Sequence, residues 1–188
     1  ESETKSLSEK IDKEVTRIIA LLKDMLDLSE LESQKDVNPE DVSLAQIAES
    51  VKESLAPVAA EKNVQISVDG DAIVRMEKEH AIELVKNLVE NGVKYNRNGG
   101  YVKVTISSDA SHTTLTVADD GIGIEDKHQQ RIFERFYRVN KSRSRETGGT
   151  GLGLAIVKHV CTLYNADLSL TSKLGVGTTV TVAFRNNL

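Results

Sequence analysis

The sequence predicts an α+β fold, one mostly antiparallel sheet with helices on one face, preceded by a single long helix. Three observations predict it. Alternating apolar runs come in pairs separated by short polar turns, Val102/Val104/Ile106 with Leu115/Val117 and Leu168 to Ser172 with Thr178 to Phe184. A period of two reads as strand, and adjacent pairs read as hairpins. Helical patterns lie between these hairpins without alternating one for one with strands, which favours an antiparallel sheet over a doubly wound parallel one.

In chain order, Leu7 to Leu31 reads as one helix. Leu7, Ile11, Val15, Ile18, Leu22 and Met25 are spaced 4, 4, 3, 4 and 3 residues apart, a heptad-like seam that Ile19, Leu21, Leu26 and Leu28 widen. The pattern alone fits a helix in a bundle or one lying on its own domain. A polar link from Glu32 to Val42 follows, containing Pro39. Ser43 with Gln46 resembles a capping box opening a second helix, with Leu44, Ile47, Ala48, Val51 and Leu55 on one face and Pro57 expected to kink or end it. Val64, Ile66 and Val68 alternate as a strand, Asp69-Gly70-Asp71 turns, and a short strand near Ala72 to Arg75 leads into a helix from about Glu77 to Tyr95. After the first hairpin, which turns through Ser108 to His112, helices are expected over about Gln129 to Tyr137 and Gly151 to Asn165. The last hairpin turns at Gly175-Val176-Gly177.

Bulk properties narrow the function. With 39% hydrophobic and 28% charged residues the chain is a globular protein rather than a disordered one, and its formal net charge of -5 argues against a broad grip on nucleic acid. Cys161 is the single cysteine, so no internal disulfide forms, and its apolar helical context reads as a packed thiol. No apolar run approaches the roughly 20 residues of a membrane span, and no signal peptide is visible. The first residue is Glu1 rather than Met, which reads as a segment of a longer product.

Four patterns carry chemistry. Asn87, Asn91 and Lys94 are four and three residues apart, so they project from nearly one helix face, with Leu84, Val85 and Leu88 beside them for packing. Carboxamides and an ammonium in line suit a magnesium ion and phosphate oxygens, or make a solvated polar stripe. Asp119-Asp120-Gly121-Ile122-Gly123-Ile124 follows a strand, where glycines let a ligand approach the backbone and a carboxylate accepts from an amino group; an ordinary turn is the alternative. Gly148-Gly149-Thr150-Gly151-Leu152-Gly153-Leu154 opens a helix and offers backbone N–H groups to an anion, without a Walker A or Rossmann pattern; a flexible loop would look similar. Between them, Ile132-Phe133-Glu134-Arg135-Phe136-Tyr137-Arg138, then Lys141, Arg143 and Arg145, suit a hinged lid or a charged surface loop. The stretch from about Asn140 to Gly148 is expected to be mobile when no ligand is bound.

Taken in order, N-x-x-x-N-x-x-K-Y, D-x-G-x-G-I, F-x-R-F-Y-R and G-T-G-L-G-L resemble the N, G1, F and G2 boxes of bacterial sensor histidine kinases, within the wider superfamily of gyrase, Hsp90 and MutL ATPases. The resemblance runs from about Val42 to Phe184. It implies a two-layer α/β sandwich at 36–188 that binds ATP. It also implies that residues 1–35, ending Leu26-Asp27-Leu28-Ser29-Glu30-Leu31-Glu32, are the second helix of the dimerisation and phosphotransfer domain.

By the same resemblance Asn91 would coordinate Mg²⁺, with Asn87 nearby, and Lys94 would contact phosphate. Tyr95 would stack on adenine and Asp119 would bind its amino group, with Gly121, Gly123 and Ile124 letting the base sit close. Tyr137 and Arg138 belong to the lid, Arg138 reaching the γ-phosphate, and Gly149, Thr150, Gly151, Leu152, Gly153 and Leu154 would wrap the phosphates. Asn87, Lys94 and Arg138 are the expected catalytic residues. In hydrolysing relatives a glutamate stands where Asn87 stands; an amide cannot accept a proton at neutral pH, so hydrolysis should be slow. The family's acceptor histidine lies in H-[DE]-x-x-x-P, and none of His80, His112, His128 and His159 has that context.

The implied partners are ATP or ADP and a response-regulator receiver domain. The implied parent is a homodimer, membrane-anchored with this region in the cytoplasm, and neither nucleic acid nor membrane contact is expected of this segment. The rival readings are another ATPase of the superfamily, a serine kinase of the anti-sigma type, and a degenerate nucleotide-binding scaffold.

Overall fold

The structure is a computed structural model that describes residues 2–33, 37–139 and 149–186. The stretch expected to be mobile, with Lys141, Arg143, Arg145 and Gly148, lies outside the described residues. Helix α1 spans Ser2–Ser33, β1 Glu40–Ser43, α2 Leu44–Glu61, β2 Gln65–Asp69, β3 Ile73–Met76 and α3 Lys78–Lys94. They are followed by β4 Tyr101–Ser108, β5 His112–Asp119, a short α4 Asp126–Gln129, α5 Gly153–Leu163, β6 Asp167–Lys173 and β7 Gly177–Arg185.

Five strands form the main sheet in the order β2-β4-β5-β7-β6, parallel only between β2 and β4. The alternation read in the sequence sorts its two faces. Val102, Val104, Ile106, Leu115, Val117, Val180, Val182 and Phe184 are buried, and the register sets Val104 opposite Val117 and Leu115 opposite Val182. Lys103, Thr105, Thr116 and Thr181 alternate with them on the open face. Helices α2, α3 and α5 cover the apolar side, as the α+β reading requires.

Helix α3 lies against β4 and β5. It buries Leu84, Val85, Leu88, Val89 and Val93, and at Gly92 the backbone comes so near β4 that an added Cβ would lie 3.0 and 3.1 Å from the two methyls of Val102. Helix α5 packs beside α3 through Ile156, Val157 and Val160, with Cys161 buried among them and its thiol pushed up to about 12 by desolvation.

Three expectations need correction. The link before Ser43 contains β1, whose Val42 pairs with Val74 of β3; with one apolar residue in Glu40–Ser43 there is no period to read. Pro57 neither ends nor breaks α2, which runs on to Glu61. Pro57 lies on the solvent side, where water can satisfy the carbonyl it leaves without a partner, while Leu55 and Ala59 hold the last turns in the core. The helix expected over Gln129 to Tyr137 is only α4 followed by turns, because Phe136 takes φ 61° and cannot continue a right-handed helix. The Ser43 cap is as read: its hydroxyl accepts from Gln46 N at 3.2 Å.

On α1, Leu28 and Leu31 are buried and pack toward α5. Leu21 is partly buried against the core, whereas Ile11, Val15, Ile18, Leu22 and Met25 are 46–55% exposed.

The sheet assignment makes a stability prediction. Leu115→Ala, at a fully buried mid-strand position, should cost about 2–5 kcal/mol in urea unfolding. Thr116→Ala, one residue along on the open face, should cost less than about 1 kcal/mol. Equal losses would mean that the two faces are assigned wrongly.

Candidate functional site

A cavity of about 350 Å³ opens between α3, the turn after β5, the β6–β7 turn and the residues entering α5. That volume falls within the usual small-molecule range of about 300–1,000 Å³. Because α3 turns Leu84, Val85 and Leu88 to the core, its polar stripe is left facing the opening, and Asn87, Asn91 and Lys94 all line it. Burial lowers the pKa of Lys94; Glu90 opposes that shift and Arg138 adds to it. Lys94 and Arg138 thus share a poorly hydrated end with the carboxylates of Glu90 and Asp24, and an anion bound there would favour the charged ammonium.

Asn87 is oriented from within its own helix. Its Nδ2 donates to the Glu83 carbonyl at 2.8 Å and to Glu83 Oε2 at 3.2 Å. Its Oδ1 points toward Gly153, where an added Cβ would lie 2.5 Å away. A side chain at position 153 would therefore displace the Asn87 carboxamide from this orientation.

Asp119 ends β5 at the other end of the cavity. Its Oδ1 accepts from Gly121 N at 2.8 Å and Thr178 N at 3.3 Å, and no described residue donates to Oδ2. Desolvation pushes its pKa up to about 6; the two backbone donors pull the other way and Asp120 adds to the rise. Gly123, at φ 66°, carries the chain past β6 so closely that a Cβ would lie 2.0 Å from the Lys173 carbonyl oxygen. Tyr95, at the rim, is 37% exposed, and Gly123 and Ile124 line the wall between. Gly121 supports Asp119 from behind without lining the cavity.

The lid segment enters at Ile132, which is buried. Phe136 N donates to the Gly151 carbonyl at 2.9 Å, tying the segment to the glycine loop. Tyr137 Oη meets His128 Nδ1 at 2.6 Å and its ring lies 4.3 Å beneath the Arg131 guanidinium, so its place at the cavity wall is held from outside. Arg138 also lines the cavity.

Gly149 rests against Lys94 and Tyr95, its Cβ position 3.3 Å from Lys94 Nζ and 3.1 Å from Tyr95 Oη. Thr150, Gly151, Gly153 and Leu154 line the same wall. Leu152 does not: its side chain is fully buried in the core, so only its backbone faces the loop.

Fourteen of the sixteen expected site residues thus meet around one cavity, Gly121 and Leu152 standing behind it. Sequence reasoning missed Thr178, which the β5–β7 pairing sets opposite Asp119, and Asp24 and Ala20 of α1, for which no local pattern exists. The last turn fixes only how β6 pairs with β7, so the pairing of β7 with β5 is as tertiary as the α1 contact. Among the described residues no group of three or more His, Cys, Asp or Glu is placed to hold a metal ion. The oxygen donors that line the phosphate end are the carboxamides of Asn87 and Asn91 and the carboxylates of Asp24 and Glu90. Magnesium, which keeps most of its water and shares substrate phosphates, fits that sparse donor set.

A two-layer sandwich with a polar helix stripe, a strand-end carboxylate and a glycine loop converging on one cavity defines the class as a nucleotide-site fold of the α+β type. The chain belongs to the family described as histidine kinase-, DNA gyrase B- and HSP90-like ATPase, whose model matches residues 76–188. Among relatives, the sensor histidine kinase RppB of Synechocystis is 35% identical over 178 residues, covering 92% of this chain and 39% of its own length. The phosphate regulon sensor protein PhoR of Pseudomonas aeruginosa is 38% identical over 182 residues, covering 94% and 40%. The chain therefore spans less than half of each of these relatives. The solved mycobacterial sensor histidine kinase MprB superposes with a TM-score of 0.65 at 26% identity, covering 79% of this chain and 97% of that one. Full-length ShkA, solved in complex with AMPPNP, gives 0.78 at 24% identity over 97% of this chain and 38% of its own, which shows the fold. No helix among the described residues is long and apolar enough to cross a membrane.

The raised Asp119 pKa fixes the sign of one stability effect. A folded-state value of about 6 above the ordinary 3.8 means that the native state holds this proton more tightly than the unfolded chain. The stabilisation is complete below about pH 4 and is lost as pH rises through about 6. Asp119→Asn, which does not titrate, should gain stability relative to the parent as the pH of a denaturant series is raised from about 4 to 7. A constant difference would mean that Asp119 titrates normally.

Proposed function

We propose that this chain is the ATP-binding catalytic region of a sensor histidine kinase, residues 36–188, joined to the second helix of its dimerisation and phosphotransfer domain, residues 1–35. One observation carries the reading: the cavity has a hydrogen-bond acceptor for a base at Asp119 and, at the other end, the amide, ammonium and guanidinium groups suited to phosphates. An adenine amino group donates to Asp119 Oδ2, and a guanine carbonyl in its place would face a carboxylate acceptor. That contrast selects ATP. Tyr95 stacks on the base from the rim, with Gly123 and Ile124 beneath it.

At the phosphate end, Asn91 would hold Mg²⁺, which when bound neutralises phosphate charge and draws the γ-phosphoryl toward transfer. Lys94 and Arg138 place positive charge on the same oxygens, and Gly149, Thr150, Gly151, Gly153 and Leu154 offer backbone N–H groups around them. Asn87 has no basic atom with which to activate water, and its Nδ2 is already given to Glu83. Water attack is therefore poorly served, and the γ-phosphoryl is conserved for a histidine.

That histidine is none of the four in this chain. His80 is bound to Tyr164 Oη at 2.6 Å, His128 to Tyr137 and His159 to the Leu31 carbonyl, while His112 stands in the sheet; none lines the cavity. The acceptor would come from a partner helix packed on the exposed seam of α1, in a homodimeric, membrane-anchored parent that passes the phosphoryl group to a response-regulator receiver domain.

Calorimetry and labelled ATP test this reading. The chain should bind Mg-ATP, and Asn91→Ala should weaken ATP only when Mg²⁺ is present. Asp119→Asn should lower affinity by about 10- to 100-fold, because one amide oxygen cannot serve both the backbone donors and the base. Affinity should fall as pH drops through about 6, since adenine needs the ionised carboxylate. Phosphate release in water should be slow, while an added segment carrying the acceptor helix becomes labelled. Fast steady-state hydrolysis would contradict the role given to Asn87. Separately, Leu22→Glu on the exposed seam should reduce self-association in sedimentation without changing ATP affinity.

A further inference from the structure

Helix α1 does more than precede the site: one of its turns lies across it. Asp24 and Ala20 contribute to the cavity wall, and Thr150 Oγ1, in the middle of the glycine loop, donates a hydrogen bond to the Asp24 carboxylate. Asp24, Leu28 and Leu31 fall at helical positions i, i+4 and i+7, so the face that buries the two leucines also presents the carboxylate. Below that turn α1 is fastened by an ion pair between Glu32 and Arg135 of the lid segment and by the Leu31 carbonyl bonded to His159 Nε2 at 3.2 Å. Asp24 also stands close enough to Lys86 and Lys94 to favour the charged form of both ammonium groups.

The geometry points to Asp24 as a built-in competitor for the phosphate end of the cavity: an α1 carboxylate, seated on Thr150 beside Lys94, holds the anion position that nucleotide phosphates need. This inference rests on the nucleotide reading given above. The hydroxyl of Thr150 and the charge of Lys94 can serve the carboxylate or a phosphate oxygen. With both present, two anions would face each other across a poorly hydrated gap. Binding at full strength therefore requires this turn of α1 to move away. Because Ile11, Val15, Ile18 and Leu22, N-terminal to Asp24, are exposed among the described residues, whatever packs on them sets the position of the carboxylate. The occupancy of the phosphate site is thereby tied to the docking of α1. Asp119 is held by Gly121 and Thr178 rather than by α1, so the nucleoside end should be indifferent to Asp24.

The test is calorimetric titration of the whole chain with Mg-ATP and, separately, with adenosine, for the parent, Asp24→Ala and Asp24→Asn. Asp24→Ala should bind Mg-ATP about 5- to 30-fold more tightly, as expected for removing one charge-assisted competitor, with adenosine affinity unchanged. Asp24→Asn keeps the size and an acceptor for Thr150 but not the charge, and should give a smaller gain of the same sign. It also carries the test if the alanine variant fails to fold by circular dichroism. Unchanged or weaker Mg-ATP binding in both variants overturns the inference while leaving ATP binding intact. Equal gains for ATP and adenosine overturn it as well, because they would report a merely wider opening. No heat with Mg-ATP from any of the three proteins would overturn the nucleotide reading itself, and this inference with it.

Discussion

The close seating of α3 on β4 and β5 is the constraint from which the rest follows. Gly92 touches the methyls of Val102, and its Cβ position is 3.7 Å from Asp119 Cβ. A larger residue there would lift the helix from the sheet and part Asn91 from Asp119, which belong to elements far apart in sequence. The apolar face of α3 settles its rotation, so that burying Leu84, Leu88 and Val93 turns Asn87, Asn91 and Lys94 toward the opening. Packing energy, spread over many side chains, thereby orients a few polar ones that could not hold their own geometry.

The two ends of the cavity are tuned in opposite senses by the same cause. Desolvation raises the Asp119 carboxyl and lowers the Lys94 ammonium, so each charged form is less stable there than it would be in water. A ligand with donors at one end and negative charge at the other relieves both costs together. The backbone donors on Asp119 Oδ1 keep the carboxylate aimed while leaving its second oxygen available, an economy that depends on Gly121 and on the register placing Thr178 opposite.

Much of this was legible in the residues themselves. The hairpins declared themselves by a period of two, and α3 by a polar stripe beside an apolar one, because both signals are local and repeat several times. The Ser43 cap was legible because capping chemistry is set by neighbours three residues apart. What escaped was short or tertiary. Glu40–Ser43 offers a single apolar residue, so its pairing with β3 leaves no trace in sequence. The fate of Pro57 depended on which side of α2 met solvent. The run from Gln129 to Tyr137 has helical composition, yet the bond from Phe136 to Gly151 and the His128–Tyr137 contact override it. Asp24 could not be placed, since its partner lies 126 residues away.

The outer strands of the main sheet have a consequence for assembly. Both β2 and β6 are bordered by polar and charged positions, Gln65, Ser67 and Asp69 on one and Asp167, Ser169, Thr171 and Lys173 on the other, all exposed. Such margins discourage a neighbouring chain from adding a strand. Oligomers built by extending the sheet are thus disfavoured, while Ile11, Val15, Ile18, Ile19, Leu22, Met25 and Leu26 leave α1 the element with the most exposed large apolar side chains among the described residues. Polar margins of this kind keep the sheet a finished surface, so that contact between copies falls to helices rather than to strands.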